Sequence, residues 1–136
     1  MAKEFHLSVV APDRSVVEEA ATSVIAPGSE GYFGVLVGHA PLIAALKPGM
    51  VEYADATGNR HFVYVGGGFA EVRGDRVTIL ADEAAPAREI DISEAEHRLE
   101  EARKALRGEP SSVTQENAVM EIDRAMSRIR AARAVR

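Results

Sequence analysis

The chain has 136 residues, 46% of them hydrophobic and 27% charged, with a net charge of −5 and no cysteine. These values predict one average domain or two small ones in a soluble globular chain, and they exclude disorder by composition. The missing cysteine excludes a disulfide framework, a thiolate metal site and a cysteine nucleophile, and the acid excess argues against a nucleic-acid partner.

The opening MAKEFHLSVV has one lysine and no long apolar core. Neither a secretory signal nor an arginine-rich transit peptide is expected there. No apolar run reaches roughly eighteen residues, so no bilayer-spanning helix and no direct insertion are expected.

Phe5, Leu7 and Val9 alternate with Glu4, His6 and Ser8, the pattern of a half-buried strand. Residues 15–18 and 23–26 read as two further short strands, the second stopped by Pro27-Gly28. Residues 30–49, EGYFGVLVGHAPLIAALKPG, carry four glycines and two prolines inside an apolar run. An ordinary helix does not tolerate that density of breakers, so the run reads as short strands and tight turns with an exposed tip at Gly38-His39-Ala40. Residues 50–54 and 61–65 flank a hairpin loop at 55–59, and residues 69–72 and 77–81 flank another at Arg73-Gly74-Asp75. Strands recurring at about 8–12 residues predict an antiparallel β-sandwich over residues 1–87.

After Pro86 the period becomes helical. Ile92, Ala95, Leu99, Ala102 and Leu106 draw one apolar seam, with Asp91 or Ser93 able to cap its start. Gly108 and Pro110 stop this helix. A second helix is expected from near Ser112, with a seam of Val119, Ile122, Met126 and Ile129 thickened by Ala118, Ala125 and Ala132. Residues 88–136 are therefore read as an antiparallel two-helix hairpin. Its seams are narrow and rich in alanine, so it should depend on docking to another surface.

Charge is unevenly placed. Residues 124–136 hold five arginines and no acid, while residues 89–123 hold ten acids and four bases. Macrodipole pairing explains one part of this, and an acidic partner surface for the basic tail explains the other.

No catalytic constellation emerges. Gly66-Gly67-Gly68 lacks nucleotide-loop spacing and precedes a strand, so it reads as a bulge or a close backbone approach. His6, His39, His61 and His97 have no metal-ligand spacing. Asp82-Glu83 reads as a solvated strand end, and Ser111-Ser112 as turn and cap. No nucleophile, base and oxyanion site assemble, and no metal or obligatory cofactor is expected.

A resemblance to one family runs over nearly the whole chain and is carried by four segments, one of them the opening FHLSVVAPDRSVVE, which resembles that family's first strands. Residues 30–49 are similar to the Gly-x-x-Gly-x-x-x-Gly-His-Ala-Pro-Leu and Leu-Lys-Pro-Gly stretch of the epsilon subunit of the F-type ATP synthase. Residues 62–84, FVYVGGGFAEVRGDRVTILADEA, resemble that family's triple-glycine and Val-Thr-x-Leu-Ala-Asp segments, and residues 124–128 resemble its second-helix arginines. The resemblance implies a non-catalytic rotor subunit at the cytoplasmic face of the bacterial inner membrane. It would couple proton flow to ATP synthesis and restrain hydrolysis through its helices. The implied partners are the gamma subunit, the c-ring and, when the hairpin extends, the alpha/beta catalytic head.

By the same resemblance, Tyr32, Gly38, His39, Ala40 and Pro41 lie on the gamma and c-ring side. Arg124, Arg128, Arg130 and Arg133 would face acidic segments of the catalytic head. Some family members bind ATP through an (Ile/Leu)-Asp-x-x-Arg-Ala motif with second-helix arginines. Here Ile90, Asp91 and Ala95 match, Glu94 replaces the arginine, and Arg124 and Arg128 match, so weak regulatory binding of ATP is the most that is expected. The rival readings are a free-standing β-sandwich adaptor and a small-ligand binding module.

Overall fold

A computed structural model describes residues 4–136. The first three residues of the expected sandwich and of the opening segment lie outside the described residues. Seven strands precede two helices. They are β1 (Phe5–Ala11), β2 (Arg14–Gly28), β3 (Gly31–Leu36), β4 (Leu42–Asp55), β5 (Arg60–Arg73), β6 (Arg76–Ala81) and β7 (Ala84–Pro86), followed by α1 (Ile92–Leu106) and α2 (Ala118–Ala134).

The strands lie in the order β1-β6-β5-β4-β2-β3, and β1 also pairs with β2. That second pairing closes β1, β6, β5, β4 and β2 into a ring, with β3 added on β2 and β7 on β5. A ring with an odd number of strands cannot alternate direction all the way round. One pair must be parallel, and it is β1–β6, with Leu7 opposite Val77 and Val9 opposite Ile79. The sandwich is therefore not wholly antiparallel. Leu7, Val9, Val24, Val51, Val65 and Ile79 fill its centre and are almost completely buried.

Residues 15–18 and 23–26 belong to one strand, not two. Nothing between them breaks a strand, and the turn in direction is absorbed by register shifts between Ala21 and Ser23 and between Ile25 and Gly28. The glycine triplet marks where β5 changes partner, from β7 at Val63–Val65 to β6 at Gly68–Arg73. Gly68 has φ 135°, and a Cβ there would run into the Leu80 carbonyl oxygen. Only glycine meets both demands.

Helix α1 begins where the capping pattern placed it, with the Asp91 side chain accepting from the Glu94 N–H. The second helix starts later than Ser112. A 3-10 turn at Gln115–Asn117, capped by Thr114, leads into α2 at Ala118. Ser111 and Ser112 instead tie the loop to α1, through the Glu101 carbonyl at 2.6 Å and the Glu101 carboxylate at 3.0 and 3.2 Å.

The expected seams hold at Ala95, Ala102, Ala118, Ala125, Ala132 and Ile129 and are corrected at Leu106, Val119 and Met126. Buried positions on the helices are mostly alanine: Ala95, Ala102 and Ala105 on α1, and Ala118, Ala125, Ala131 and Ala132 on α2. Val119 and Met126 are 63% and 39% exposed, and Leu106 also faces solvent. Helix α2 packs against β4 and β5 and also against α1. A helix held on two sides approaches its neighbours closely through small side chains, so Val119 and Met126 turn outward while Ile129 stays buried. Tyr64, Ala87, Ile90, Ala131 and Ala132 form the core between sandwich and hairpin.

Candidate functional site

The contact between the two halves is built around Glu83, in the short turn between β6 and β7. Its carboxylate accepts from the Arg128 guanidinium of α2 and from the Tyr64 hydroxyl of β5. The Arg128 guanidinium also lies 4.8 Å from the centre of the Tyr64 ring, within cation–π range. Burial, and then the hydrogen bond to Glu83, push the Tyr64 phenol well above its ordinary pKa, so it remains a donor. Arg124 donates to the Gly66 carbonyl at 3.2 Å and stands 3.9 Å from Glu83. At the end of the chain, Arg136 donates to the Ile90 carbonyl at 2.9 Å. The hairpin is thus docked on the sandwich by arginines of the basic run, while Arg130 and Arg133 remain exposed.

The residues of the ATP-like motif are brought together. Ile90, Asp91, Glu94, Ala95 and Arg128 line one cleft of about 150 Å³, with Glu89 and Arg98. Arg124 is not among its lining residues. The Glu94 carboxylate pairs with Arg98 at 3.2 Å. These surroundings are unfavourable for a triphosphate. The cleft is below the roughly 300–1,000 Å³ of ordinary ligand pockets, and Glu89, Asp91 and Glu94 outnumber the two guanidiniums that line it, with Glu89 already paired to Arg14 at 3.2 Å.

The tip of the sandwich is the turn between β3 and β4. Gly38 has φ 85°, the His39 N–H donates to Leu36, and the His39 ring nitrogen lies 2.6 Å from the Ala40 carbonyl. Ala40 and Pro41 are exposed. The exposed Tyr32 ties β3 to β4, its hydroxyl accepting from the Met50 N–H at 3.1 Å.

A feature not singled out in the sequence lies beside this tip. Ala45, Phe69, Leu80 and Val10 are successive partners across β4, β5, β6 and β1. Phe69 is 58% exposed, Leu80 57%, and Ile43, two residues along from Ala45, 73%. The signal was present in the alternation. Phe69 and Leu80 are out of step with the buried Ala70, Ile79 and Ala81, which places two large apolar residues on the water face.

His6 lies 2.8 Å from Glu18 and His61 lies 2.8 Å from Asp55, so both are held by carboxylates. No group suited to a metal ion occurs among the described residues. No described helix is long and apolar enough to cross a membrane.

Comparison with known proteins agrees with this architecture. The ATP synthase delta/epsilon chain β-sandwich domain matches residues 4–87, and the long alpha-helix domain of the same chain matches residues 88–133. The ATP synthase epsilon chain of Nitratidesulfovibrio vulgaris (strain DP4) is 42% identical over 130 residues, covering 96% of each chain. That of Moorella thermoacetica is 41% identical over 130 residues, covering 96% of this chain and 97% of the other. Among solved structures, a chain of the Euglena gracilis mitochondrial ATP synthase (OSCP/F1/c-ring, rotational state 1) superposes with a TM-score of 0.80 at 26% identity, covering 93% of this chain and 80% of that one. A free-standing adaptor or an unrelated small-ligand module finds no support in these matches. With both domains matched in the observed order, the chain belongs to the ATP synthase delta/epsilon chain family.

Proposed function

We propose that the chain acts as a non-catalytic rotor subunit of a proton-translocating F-type ATP synthase, coupling proton flow to ATP synthesis and restraining hydrolysis through its helices. The observation that carries this reading is the uncovered apolar row Val10–Leu80–Phe69–Ala45 with Ile43 and the Gly38–Pro41 tip beside it. A rigid sheet face of exposed aromatic and aliphatic side chains suits a lasting protein interface. In this reading the row holds gamma and the tip meets the c-ring. The chain then sits at the cytoplasmic face of a bacterial inner membrane and is held there through its partners. The hairpin reaches the alpha/beta head only when it leaves the sandwich. No cofactor is required, and ATP is at most a weak regulatory ligand.

The test is capture by the gamma subunit of the full chain, of residues 1–87 and of Phe69→Glu. The full chain and residues 1–87 should be captured, and Phe69→Glu should lose most of the binding. Residues 1–87 that fold by circular dichroism yet are not captured would defeat the assignment of gamma to the sandwich.

A further inference from the structure

The outer side of the docked hairpin carries a groove between α1 and α2 of about 310 Å³. Leu99, Met126 and Ile129 form its apolar lining. Arg103, Arg130 and Arg133 stand along it, with Glu96 as the one acid. Leu106 and Val119 lie seven residues from Leu99 and Met126, on the same helix faces, and both are exposed. Seven residues are about two helical turns, so they carry the apolar surface on toward the loop.

The charges decide what the groove can hold. The other hairpin cations are largely engaged: Arg98 with Glu94, Lys104 with Glu101, Arg107 with Glu100 and Glu109, Arg124 with Glu121, and Arg128 with Glu83. Among the described hairpin residues, Arg88, Arg103, Arg130, Arg133 and Arg136 have no ion-pair partner, and of these Arg103, Arg130 and Arg133 line the groove. Three unpaired guanidiniums beside exposed leucine and methionine favour carboxylates flanking apolar side chains. Two antiparallel helices with small residues between them also leave a furrow that a third helix can enter by ridges into grooves.

We propose that this groove is a docking site for an acidic amphipathic helix of a partner protein, one open while the hairpin is docked on the sandwich. Apolar side chains of the partner two turns apart would lie along Leu99–Met126 and Leu106–Val119, and its carboxylates would meet Arg103, Arg130 and Arg133. The site does not require the hairpin to extend, and it can be tested on the isolated chain without gamma. Its failure is therefore distinguishable from failure of the rotor reading.

The experiment titrates the full chain into a fluorescent helical peptide of about 20 residues, roughly six turns, with leucine on one face and glutamate elsewhere. The same peptide with lysine in place of glutamate is the control. The glutamate peptide should bind, and binding should weaken as salt rises. Arg130→Glu with Arg133→Glu, or Met126→Glu, should lower affinity by about tenfold or more, while Arg73→Glu on the sandwich leaves it unchanged. Circular dichroism on each variant verifies folding, and Arg130→Gln with Arg133→Gln provides a milder change that should still weaken binding. Equal binding of the lysine peptide, or equal binding by the charge-reversed variants, would overturn the proposal. So would binding to phosphatidylglycerol vesicles without binding to the peptide, which would make the partner a lipid surface. A dimer in sedimentation that the charge reversals abolish, with no peptide binding, would make it a second copy of this chain.

Discussion

Glu83 and Arg128, 45 residues apart in the chain, form the ion pair that fastens the hairpin to the sandwich. The Arg128 side chain is only 13% exposed, against 36% for Glu83. The guanidinium is also enclosed by the Tyr64 ring. An acidic surface that recruits Arg128 must therefore displace Glu83 and strip the arginine from an aromatic face.

Glu83→Ala should loosen the docked hairpin. It leaves Arg128 without its carboxylate and Tyr64 without its acceptor, both in partly buried places. The expected cost to docking is about 1–2 kcal/mol, held down by the solvent that Glu83 still sees. Hydrogen exchange of the α2 amides should quicken by roughly tenfold, while the amides of β1 and β6 keep their protection. Unchanged exchange in α2 would mean that the alanine packing alone holds the hairpin.

Gly68→Ala tests the crossing of β5 from β7 to β6. A Cβ at Gly68 meets the Leu80 carbonyl, and φ 135° is unfavourable for any L side chain. The substitution should destabilise the sandwich by about 2–4 kcal/mol in urea denaturation. Gly74→Ala, at φ 59° with open space around it, should cost only about 1 kcal/mol. Equal losses would show that conformation rather than collision sets the cost.

Much of this fold was legible because it is locally encoded. The alternation of Phe5, Leu7 and Val9, the Asp91 cap and the Asp55–Asn59 turn each specify their structure within a few residues. Ring closure is different. The parallel pairing of β1 with β6 joins residues about 70 positions apart and follows from strand-count parity, which no local pattern displays. The helix seams are legible at Ala95, Ala102, Ala118, Ala125, Ala132 and Ile129, which are buried, and fail at Leu106, Val119 and Met126, which face water. Packing on both sides of α2 selected alanine there and left Met126 and Val119 outside. Glu83 looked like a solvated strand end because its partner lies on a helix 45 residues later.

Glu101 makes the hairpin loop sensitive to acid. The Ser112 N–H, then Lys104, hold its carboxyl down to about 2 from an ordinary 4.5. A carboxyl depressed by folding contributes fully above the unfolded value and loses its contribution as pH falls through the folded one. The loop should therefore weaken as pH drops from about 4.5 toward about 2. Amide exchange at Ser112 and Val113 should rise over that window relative to the intrinsic rate, and Glu101→Gln should flatten the rise. Glu18, held down to about 2 mainly by Ser8 and then His6, titrates in the sandwich over a similar range. The comparison with Glu101→Gln separates the two. A variant with the same pH profile as the unmodified chain would remove Glu101 from the account.

ATP should bind the isolated chain weakly or not at all. A triphosphate entering beside Arg128 would meet Glu89, Asp91 and Glu94 in a cleft of about 150 Å³, and its charge would have to be desolvated among carboxylates. Arg98 is drawn toward Glu94, and Arg128 toward Glu83. Glu94→Arg reverses one charge and frees Arg98, so it should tighten binding, although Asp91 and Glu89 remain and the cleft stays small. Calorimetry on both proteins decides. Tight binding by the unmodified chain would mean that the cleft opens and Glu94 turns outward when nucleotide arrives. No gain in Glu94→Arg would place the obstacle in the cleft's size and remaining carboxylates rather than in that one side chain.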